Sequence, residues 1–358
     1  MRKNNYDYII VGQGLAGSVL SELLIQKNKS VLVIDKANPN TSSRVAAGLF
    51  NPITGRRVVK SWMADILLPF AENFYRDQEN KFDDRFYHLR DVLEVIHSVK
   101  DQNEWSTRMS ENGMIQYAGK DAPEDLYRGK LVDFNMLFRI TSAGWFDLPK
   151  YLNHSRQFLR DNNSLHIGDL DNNKLIIDNK SIRYDEFTSE KIIFCEGYKL
   201  LENPLWDWLP LVPAKGEILT IVCLGLPEEF ILMSSLFLIP LGNNTFRAGS
   251  TFEWNFRDEQ TTEEGKNKIV DMLKTLLKIP FTIKDHRAGI RPTVKDRRQI
   301  IGIHPVHKNA FIFNGLGTNG VQLAPYFADQ FVNYLTGSST LMEDVDVMRF
   351  SKKHFPFS

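Results

Sequence analysis

Three glycines near the amino terminus have the spacing of a loop that binds a dinucleotide. Gly12, Gly14 and Gly17 stand between an apolar run, residues 8–11, and a segment whose apolar residues recur with helical spacing. In this pattern the first glycine permits a tight turn, the second lets a pyrophosphate approach the backbone, and the third lets the helix pack closely on the strand. The amino terminus of the helix then offers N–H groups and a partial positive charge to the phosphates.

An acidic residue completes this pattern at the end of a second apolar run, residues 31–34. A carboxylate at Asp35 can accept hydrogen bonds from ribose hydroxyls, and it repels a 2′-phosphate, which disfavours NADP. Residues 6–36 therefore predict a β-α-β unit whose strands, apolar throughout, are covered on both faces of the sheet. The predicted nucleotide site also contains Leu15, Ala16 and Lys36. These residues by themselves leave FAD and NAD as alternatives.

A second glycine-rich loop lies near the carboxyl terminus. It reads Gly315-Leu316-Gly317-Thr318-Asn319-Gly320 and stands between an apolar run, residues 310–314, and a helical segment that starts near Val321. It lacks the following strand and acidic residue, so it cannot be a second complete dinucleotide unit. It is either a tight turn or a helix amino terminus directed at a cofactor ring, where it would stabilise negative charge on a reduced flavin.

The charge and composition of the 358 residues argue against several classes of protein. Lys and Arg together number 44, as do Asp and Glu, so no net charge attracts nucleic acid or an anionic membrane. Cys195 and Cys223 form no CxxC pair, and the eight histidines lack the spacing of zinc ligands, so we expect neither a disulfide framework nor a metal. No apolar stretch reaches the roughly 20 residues of a membrane span, and the amino terminus is too polar for a secretory signal. We therefore expect a cytoplasmic protein.

Other segments predict the elements that position these loops. Residues 147–161 read as a helix, residues 191–195 as a short buried strand, and residues 263–277 as an amphipathic helix. Residues 211–257 have the pattern of strands and turns, with residues 241–244 as a hairpin. No linker rich in Pro, Gly or Ser separates these parts, so we expect interleaved domains.

Further motifs stand in a fixed order along the chain: Ser42-Ser43-Arg44-Val45-Ala46-Ala47-Gly48, Gly144-Trp145-Phe146-Asp147, Phe194-Cys195-Glu196-Gly197, Pro213-Ala214-Lys215-Gly216-Glu217, Ala248-Gly249-Ser250-Thr251-Phe252-Glu253 and Gly289-Ile290-Arg291-Pro292-Thr293. Together with the two glycine loops, this ordered set resembles the D-amino-acid-oxidase superfamily of flavoproteins, which contains glycine oxidase and sarcosine oxidase. The resemblance implies that the cofactor is also contacted by Ser42, Ser43, Arg44, Ala46, Ala47, Gly48, Glu196, Gly197, Arg291, Gly315, Gly317, Thr318, Asn319, Gly320 and Val321.

The resemblance also implies the cofactor and the fold. It implies FAD, held non-covalently, because no cysteine follows Arg291 and no histidine pair follows the first glycine loop. The expected fold is α/β, with a Rossmann-like FAD-binding domain that has three layers and a mostly parallel sheet. This domain is interleaved with an α+β substrate domain on a mixed or antiparallel sheet. The first domain is expected at residues 1–75, 145–212 and 286–358, and the second at residues 76–144 and 213–285.

The chemistry implied by the resemblance is the oxidation of a C–N bond in an amino acid or secondary amine that carries a carboxylate. A hydride passes to flavin N5, and water hydrolyses the imine. Arg291 is expected to bind the substrate carboxylate through its planar guanidinium, unless it is a structural arginine that pairs with a loop carboxylate. Arg247 resembles the position of a lysine near the flavin in sarcosine-oxidase-type members, and its alternative is an exposed strand charge.

Two other functions stay open. Residues 51–57, Asn-Pro-Ile-Thr-Gly-Arg-Arg, resemble the flavin domain of the bacterial enzyme that removes a carboxymethyl group from wobble uridine in tRNA more than they resemble amino-acid oxidases. The balanced charge argues against nucleic acid as a partner, since RNA affinity depends on neutralising phosphates. Arg56, Arg57 and Lys60 are either a solvated basic face or a clamp for a carboxylate or phosphate. The last alternative is a protein that binds FAD without catalysis.

Overall fold

The computed structural model of the protein describes residues 4–54, 58–111, 113–178 and 180–355. In chain order its strands are β1 (Asn5–Val11), β2 (Val31–Asp35), β3 (Leu49–Phe50), β4 (Ile53–Thr54), β5 (Val59–Lys60), β6 (Tyr87–Leu89), β7 (Val92–Ile96), β8 (Met136–Ile140), β9 (Gly144–Phe146), β10 (Leu165–Ile167), β11 (Leu175–Ile177), β12 (Ile182–Tyr184), β13 (Phe187–Phe194), β14 (Ala214–Val222), β15 (Ile231–Met233), β16 (Phe237–Gly242), β17 (Thr245–Gly249), β18 (Thr282–Arg291), β19 (Ile300–Ile303) and β20 (Ala310–Asn314). Its α-helices are α1 (Leu15–Gln26), α2 (Ser42–Val45), α3 (Ala64–Phe82), α4 (Val99–Met109), α5 (Glu124–Tyr127), α6 (Leu148–Asp161), α7 (Glu263–Leu276) and α8 (Gly320–Leu335).

The chain divides into two compact units, each assembled from segments that are distant in sequence. Unit 1 comprises Met1–Arg44, Leu148–Ala214 and Ile290–Ser358, and unit 2 comprises Val45–Asp147 and Lys215–Gly289. From the sequence, residues 45–75 are expected in the nucleotide domain, whereas they belong to unit 2. The reason is that β3 pairs with β9, and Phe50 stacks on Tyr87 with their ring centroids 4.7 Å apart. The other junctions lie within a few residues of the expected ones.

A mostly parallel sheet forms the centre of unit 1, in the order β10-β2-β1-β13-β20-β19, with the β11–β12 hairpin attached to β13. Only β19 runs antiparallel among the six strands named first. Ile9 and Val11 pack on one face with Phe194 and Trp206, while Ile10 on the other face lies beside α1. The two covered faces explain why these strands are apolar throughout. The predicted α/β fold with its mostly parallel sheet is confirmed.

The order of the strands brings three loops of unit 1 to one edge of its sheet. β1, β13 and β20 are adjacent and parallel, so their carboxyl ends lie side by side. β1 leads into the first glycine loop, β13 into Glu196 and Gly197, and β20 into the second glycine loop. Ligands of open α/β sheets bind outside the carboxyl ends of the strands, so this edge is where a dinucleotide is expected.

Unit 2 is built on a mixed sheet in the order β18-β14-β17-β16-β15-β7-β8, in which β7 and β15 pair in parallel. One face is an apolar core that includes Leu219, Phe246 and Leu273 of α7. The opposite face carries Arg247, whose direct neighbours across the sheet are Thr220 and Ile239. The predicted hairpin at residues 241–244 is confirmed as the turn between β16 and β17.

Asparagines close that hairpin for a conformational reason. Asn243 and Asn244 both have a φ of 54°, in the left-handed region that two-residue hairpin turns require. Among residues other than glycine, asparagine is one of the few that adopt this conformation readily. The local sequence alone therefore determined this turn.

Candidate functional site

The first glycine loop has the close contacts that its spacing predicts. Gly12 has a φ of 99°, and a Cβ at this position would lie 2.6 Å from the carbonyl oxygen of Cys195. A Cβ at Gly17 would lie 1.9 Å from the carbonyl oxygen of Gly12. Both contacts are shorter than any side chain could accept, so the loop requires glycine at these two positions. The loop therefore brings the start of α1 directly against the end of β1.

The start of α1 fits a pyrophosphate. Its N-cap residue is Gly14, which has no side chain to occupy the helix amino terminus. A Cβ at Gly14 would lie 3.1 Å from the side-chain oxygen of Ser43, which accepts a hydrogen bond from Leu15 N at 3.0 Å. Backbone N–H groups beside a hydroxyl that can donate form a set of donors suited to phosphate oxygens. These residues therefore fit the FAD that the resemblance implies.

Asp35 lies next to the glycine loop, at the end of β2. Its Oδ2 accepts a hydrogen bond from Gln13 N at 2.9 Å, and its Oδ1 accepts one from Ala37 N at 2.7 Å. Arg156 of α6, which the sequence analysis did not single out, forms an ion pair with Oδ1. The sequence feature that could have identified Arg156 is its place, as a charged residue, on the buried face of an amphipathic helix.

Two predicted cofactor residues of unit 1 direct their side chains to other partners. Lys36 Nζ lies 3.0 Å from Oδ2 of Asp169, in a pair that is partly exposed. Arg44 Nη1 donates to Oδ1 of Asn153 on α6 at 2.9 Å. Ser42 and Ser43 open the short helix α2, and Ser43 is the residue of this segment that reaches the glycine loop.

The turn after β13 adjoins the first glycine loop. The Cα atom of Glu196 lies 3.6 Å from the position that a Cβ of Gly12 would take. Burial raises the pKa of the Glu196 carboxyl to about 7, although Nδ2 of Asn203 donates to its Oε2 at 2.8 Å. An acid beside a phosphate site is tolerated best in its neutral form, and this pKa permits that form near neutral pH.

The second glycine loop packs directly against the first. A Cβ at Gly320 would lie 3.3 Å from the side chain of Leu15, at the start of α1. Gly315 has a φ of 77° and Gly317 a φ of 57°, so the loop adopts two backbone conformations that favour glycine. No side chain caps α8 at Asn319. The structure thus brings the amino termini of α1 and α8 together, with Thr318 and Val321 in the second loop and first turn of α8.

In unit 2, residues 46–48 and Arg247 lie together. Phe146 N donates to the carbonyl of Gly48 at 3.0 Å, and Gly48 needs its φ of 75° because a Cβ would lie 2.0 Å from the carbonyl oxygen of Phe146. Arg247 Nη1 donates to the carbonyl of Ala47 at 3.3 Å. Burial lowers the pKa of the Arg247 guanidinium, and the neighbouring Asp147 partly offsets that effect. Ala46 is exposed.

Arg291 is the last residue of β18. Its carbonyl accepts a hydrogen bond from Thr293 N at 2.9 Å, which closes the turn into Pro292. Burial lowers the pKa of its guanidinium to about 10, so Arg291 remains positively charged at neutral pH. The expected role as a carboxylate anchor stays a prediction.

The remaining candidates of the sequence analysis have other surroundings. Arg56 and Arg57 lie outside the described residues, and Lys60 Nζ pairs with Oδ2 of Asp65 at 2.7 Å. Burial raises the pKa of both cysteine thiols, Cys195 and Cys223, so neither resembles a reactive nucleophile. Within the described ranges no group of acidic, histidine or cysteine side chains could hold a metal ion. In the same ranges no helix is both long and apolar enough to cross a membrane.

Comparison with protein families gives one match along nearly the whole chain. The profile of the family described as DAO, FAD dependent oxidoreductase, matches residues 7–333. Among curated proteins, the glycine oxidase of Pseudomonas putida is 29% identical over 143 residues, which are 38% of each chain. A bifunctional protein of tRNA 5-methylaminomethyl-2-thiouridine biosynthesis from Marinobacter nauticus is 21% identical over 90% of this chain. The matched part spans 38% and 54% of the length of these two relatives.

Solved structures share the fold over nearly their full length. Glycine oxidase from Geobacillus kaustophilus superposes with a TM-score of 0.78 and 16% identity, covering 95% of this chain and 97% of that one. Iminodiacetate oxidase from Chelativorans sp. superposes with a TM-score of 0.77 and 17% identity, covering 94% of this chain and 96% of that one. At these identities the likeness shows a common fold.

Proposed function

The chain belongs to the DAO family of FAD-dependent oxidoreductases, and we propose that it oxidises the C–N bond of an amino acid or secondary amine that carries a carboxylate. The family makes the protein an enzyme and FAD its cofactor. Two structures with this fold are named as oxidases of glycine and of iminodiacetate, and each of these compounds is an amine that carries a carboxylate. This shared chemistry supports the substrate class.

The protein's own residues have three tasks in such a reaction. Bound FAD would supply the oxidant, a hydride acceptor for the carbon beside a neutral amine, and water would hydrolyse the resulting imine to a carbonyl compound and an amine. The glycine loops and the start of α1 would hold the pyrophosphate, and the start of α8 would lie near the flavin ring. Since the reaction needs no side-chain base, the remaining task is to orient the substrate, and that requires a cation for its carboxylate.

The observation that carries the proposal is the environment of Arg247. Among the described residues this partly buried guanidinium donates one hydrogen bond, to the carbonyl of Ala47, and forms no ion pair. A guanidinium has five N–H donors and stays charged in proteins, so most of its donors have no partner here. Burial disfavours this charge, Asp147 and Asp285 offset that effect only in part, and a bound carboxylate would stabilise the charge further. Arg247 is therefore a binding residue for an anionic substrate.

Arg291 is the second candidate for the same task. The resemblance assigns the substrate carboxylate to the arginine of its Gly-Ile-Arg-Pro segment, and burial lowers the pKa of Arg291 without removing its charge at neutral pH. Because both arginines are charged, a comparison of single variants is needed to tell which one binds the carboxylate.

A tRNA substrate is the alternative. It is favoured by the 21% identity that extends over 90% of the chain to the protein of tRNA biosynthesis from Marinobacter nauticus. The 44 basic and 44 acidic residues argue against it, because binding of an RNA depends strongly on neutralising its phosphates. A tRNA substrate would carry its amine and carboxylate on a modified base, so the oxidative chemistry would be the same.

The test is anaerobic bleaching of the flavin by a panel of amino acids, N-alkyl amino acids and their decarboxylated analogues. We expect the amino acids to bleach it and the analogues to do so far more slowly. Arg247→Met should lower kcat/KM for the best acid by roughly 30- to several-thousand-fold, since a charge-assisted pair contributes about 2–5 kcal/mol. It should also abolish the preference for the acid over its analogue, while the FAD content stays normal.

The exposed Arg257 provides a matched control in the same unit. Arg257→Met should leave kcat/KM and the substrate preference unchanged. If Arg247→Met slows the acid and its analogue equally, Arg247 does not bind the carboxylate, and Arg291→Lys becomes the decisive variant. If no member of the panel bleaches the flavin and a modified tRNA does, the alternative function is correct.

A further inference from the structure

We propose that Arg156 is a positioning residue for the adenosine end of FAD, which acts on the ribose through Asp35. Arg156 lies on the buried face of α6 and is only 7% exposed. Arginine is almost never this buried unless it is paired, and a helix face against a β-α-β unit is ordinarily apolar. The hydrogen bonds of Arg156 explain why it is buried.

The Arg156 guanidinium connects α6 to both parts of the nucleotide loop. Its Nε donates to Oε1 of Gln13 at 2.8 Å, and its Nη2 pairs with Oδ1 of Asp35. Gln13 is the residue between the first two glycines, and its Nε2 donates in turn to Ser18 Oγ at 3.0 Å and to the carbonyl of Leu152 at 3.1 Å. One side chain thus holds the glycine loop and the acidic residue at a fixed separation.

The hydrogen bonds of Asp35 leave part of its carboxylate for a ligand. Ala37 N and Arg156 occupy Oδ1, whereas the one donor to Oδ2 among the described residues is Gln13 N. A carboxylate oxygen has two acceptor positions, so Oδ2 can accept one further hydrogen bond. The side chain of Asp35 is 14% exposed and that of Arg156 is 8% exposed. A ribose hydroxyl can therefore reach Asp35, while Arg156 fixes from behind which oxygen faces it.

One nitrogen of the Arg156 guanidinium carries two N–H donors that make no hydrogen bond in the described part of the chain. Its Nη1 is buried and has no hydrogen-bond partner among the described residues. A purely structural arginine in an interior would be expected to satisfy all its donors, because each unsatisfied one costs free energy. The nitrogens that have partners, Nε and Nη2, are bonded to Gln13 and Asp35, so these two residues account for the hydrogen bonds that Arg156 makes in the described part of the chain.

The test compares ADP with 2′-deoxy-ADP and 3′-deoxy-ADP as ligands of the full chain after its flavin has been removed, with calorimetry as the measurement. In the parent protein we expect ADP to bind roughly 10- to 100-fold more tightly than at least one deoxy analogue. This ratio is the usual effect of losing one hydrogen bond to a charged group. Arg156→Leu should reduce this preference to within about threefold and should weaken FAD binding by a comparable factor. Arg156→Lys keeps the charge but cannot bond both partners, so it should recover only part of the preference.

Arg160 lies one turn further along α6, is exposed, and provides the matched control. Arg160→Leu should bind all three nucleotides like the parent protein. A double-mutant cycle with Asp35→Asn should show that the two losses are not additive, because Arg156 acts through that carboxylate. If Arg156→Leu does not fold, Arg156→Lys and Gln13→Ala decide the question by the same preference.

The proposal is overturned if folded Arg156→Lys and Arg156→Leu retain the full preference for ADP over the deoxy analogues. It is also overturned if they weaken ADP and both analogues by the same factor, since that would show a role in the fold alone. Neither result depends on the substrate of the enzyme, so the inference and the proposed function fail separately.

Discussion

Glu94 allows a prediction of stability against pH. It lies on β7 between Phe138 of β8 and Met233 of β15, and burial raises the pKa of its carboxyl to about 8. The unfolded chain has a pKa near 4.5 at this position, so the folded state prefers the neutral acid. The resulting stability is fully present below about pH 4.5 and is lost progressively as the pH rises through 8.

The magnitude follows from this shift. A shift of one pKa unit corresponds to about 1.4 kcal/mol, which would give an upper limit of about 5 kcal/mol above pH 8. Because the side chain is partly exposed to solvent, we reduce this to about 2 kcal/mol for Glu94→Gln at pH 8. For a chain of this length, such a gain raises Tm by about 3 °C. The glutamine has nearly the same shape and cannot ionise, so the change isolates the charge.

The assay is thermal and urea unfolding of both proteins between pH 4.5 and 9. The difference in free energy of unfolding should be small at the acidic end and should grow up to about pH 8. Glu104 on α4 is exposed, so Glu104→Gln is the control and should show no such growth. A difference that is constant across this range, or a variant less stable at pH 8, would refute the reasoning.

Four further predictions concern the two glycine loops, the buried acid Glu196 and the buried histidine His304. Gly14→Val should leave the purified protein colourless, because the valine side chain would occupy the space through which the pyrophosphate approaches the backbone. Gly317→Val should shift the reduction potential of the flavin. Unchanged flavin content in the first variant, or an unchanged potential in the second, would contradict the respective prediction. FAD should bind more weakly at pH 8 than at pH 6, because the pKa of Glu196 is about 7 and its ionised carboxylate repels phosphate. When Glu196→Gln is titrated with FAD at both pH values, its affinity for FAD should not depend on pH. Burial lowers the pKa of His304 to about 4, so stability present above the unfolded pKa of 6.5 should be lost as the pH falls through 4. His304→Gln should remove that loss, measured as acid unfolding by the fluorescence of Trp206, whose ring is 4.9 Å away.

Features that depend on neighbouring residues were predictable from the sequence. The glycine loop at the start of α1 was one, since Gly12 and Gly17 are required by contacts within a few residues or with the adjacent strand end. The hairpin at Asn243 and Asn244 was another, because both residues need the left-handed conformation. The β-α-β unit at residues 6–36 was a third, because its two strands and the helix between them follow one another directly in the sequence.

Features that depend on distant partners were not predictable. Arg156 is 143 residues from Gln13 and 121 residues from Asp35, so nothing near it in the sequence shows why it is buried. The position of residues 45–75 depends on the pairing of β3 with β9, which lies about 95 residues further along the chain. Glu94 is flanked by two apolar residues on each side in β7, and the environment of its carboxyl depends on β8 and β15, which are distant in sequence.

The interleaved order of the segments has a consequence for synthesis on the ribosome. β13 can pair with β1 once residue 194 has emerged, but its other parallel neighbour, β20, is made about 120 residues later. At about 5–20 residues per second this interval lasts roughly 6–24 seconds, during which an apolar strand edge is open to other chains. We expect nascent chains of this protein to need a chaperone in that interval, and recombinant yields to improve when translation is slow and chain concentration low.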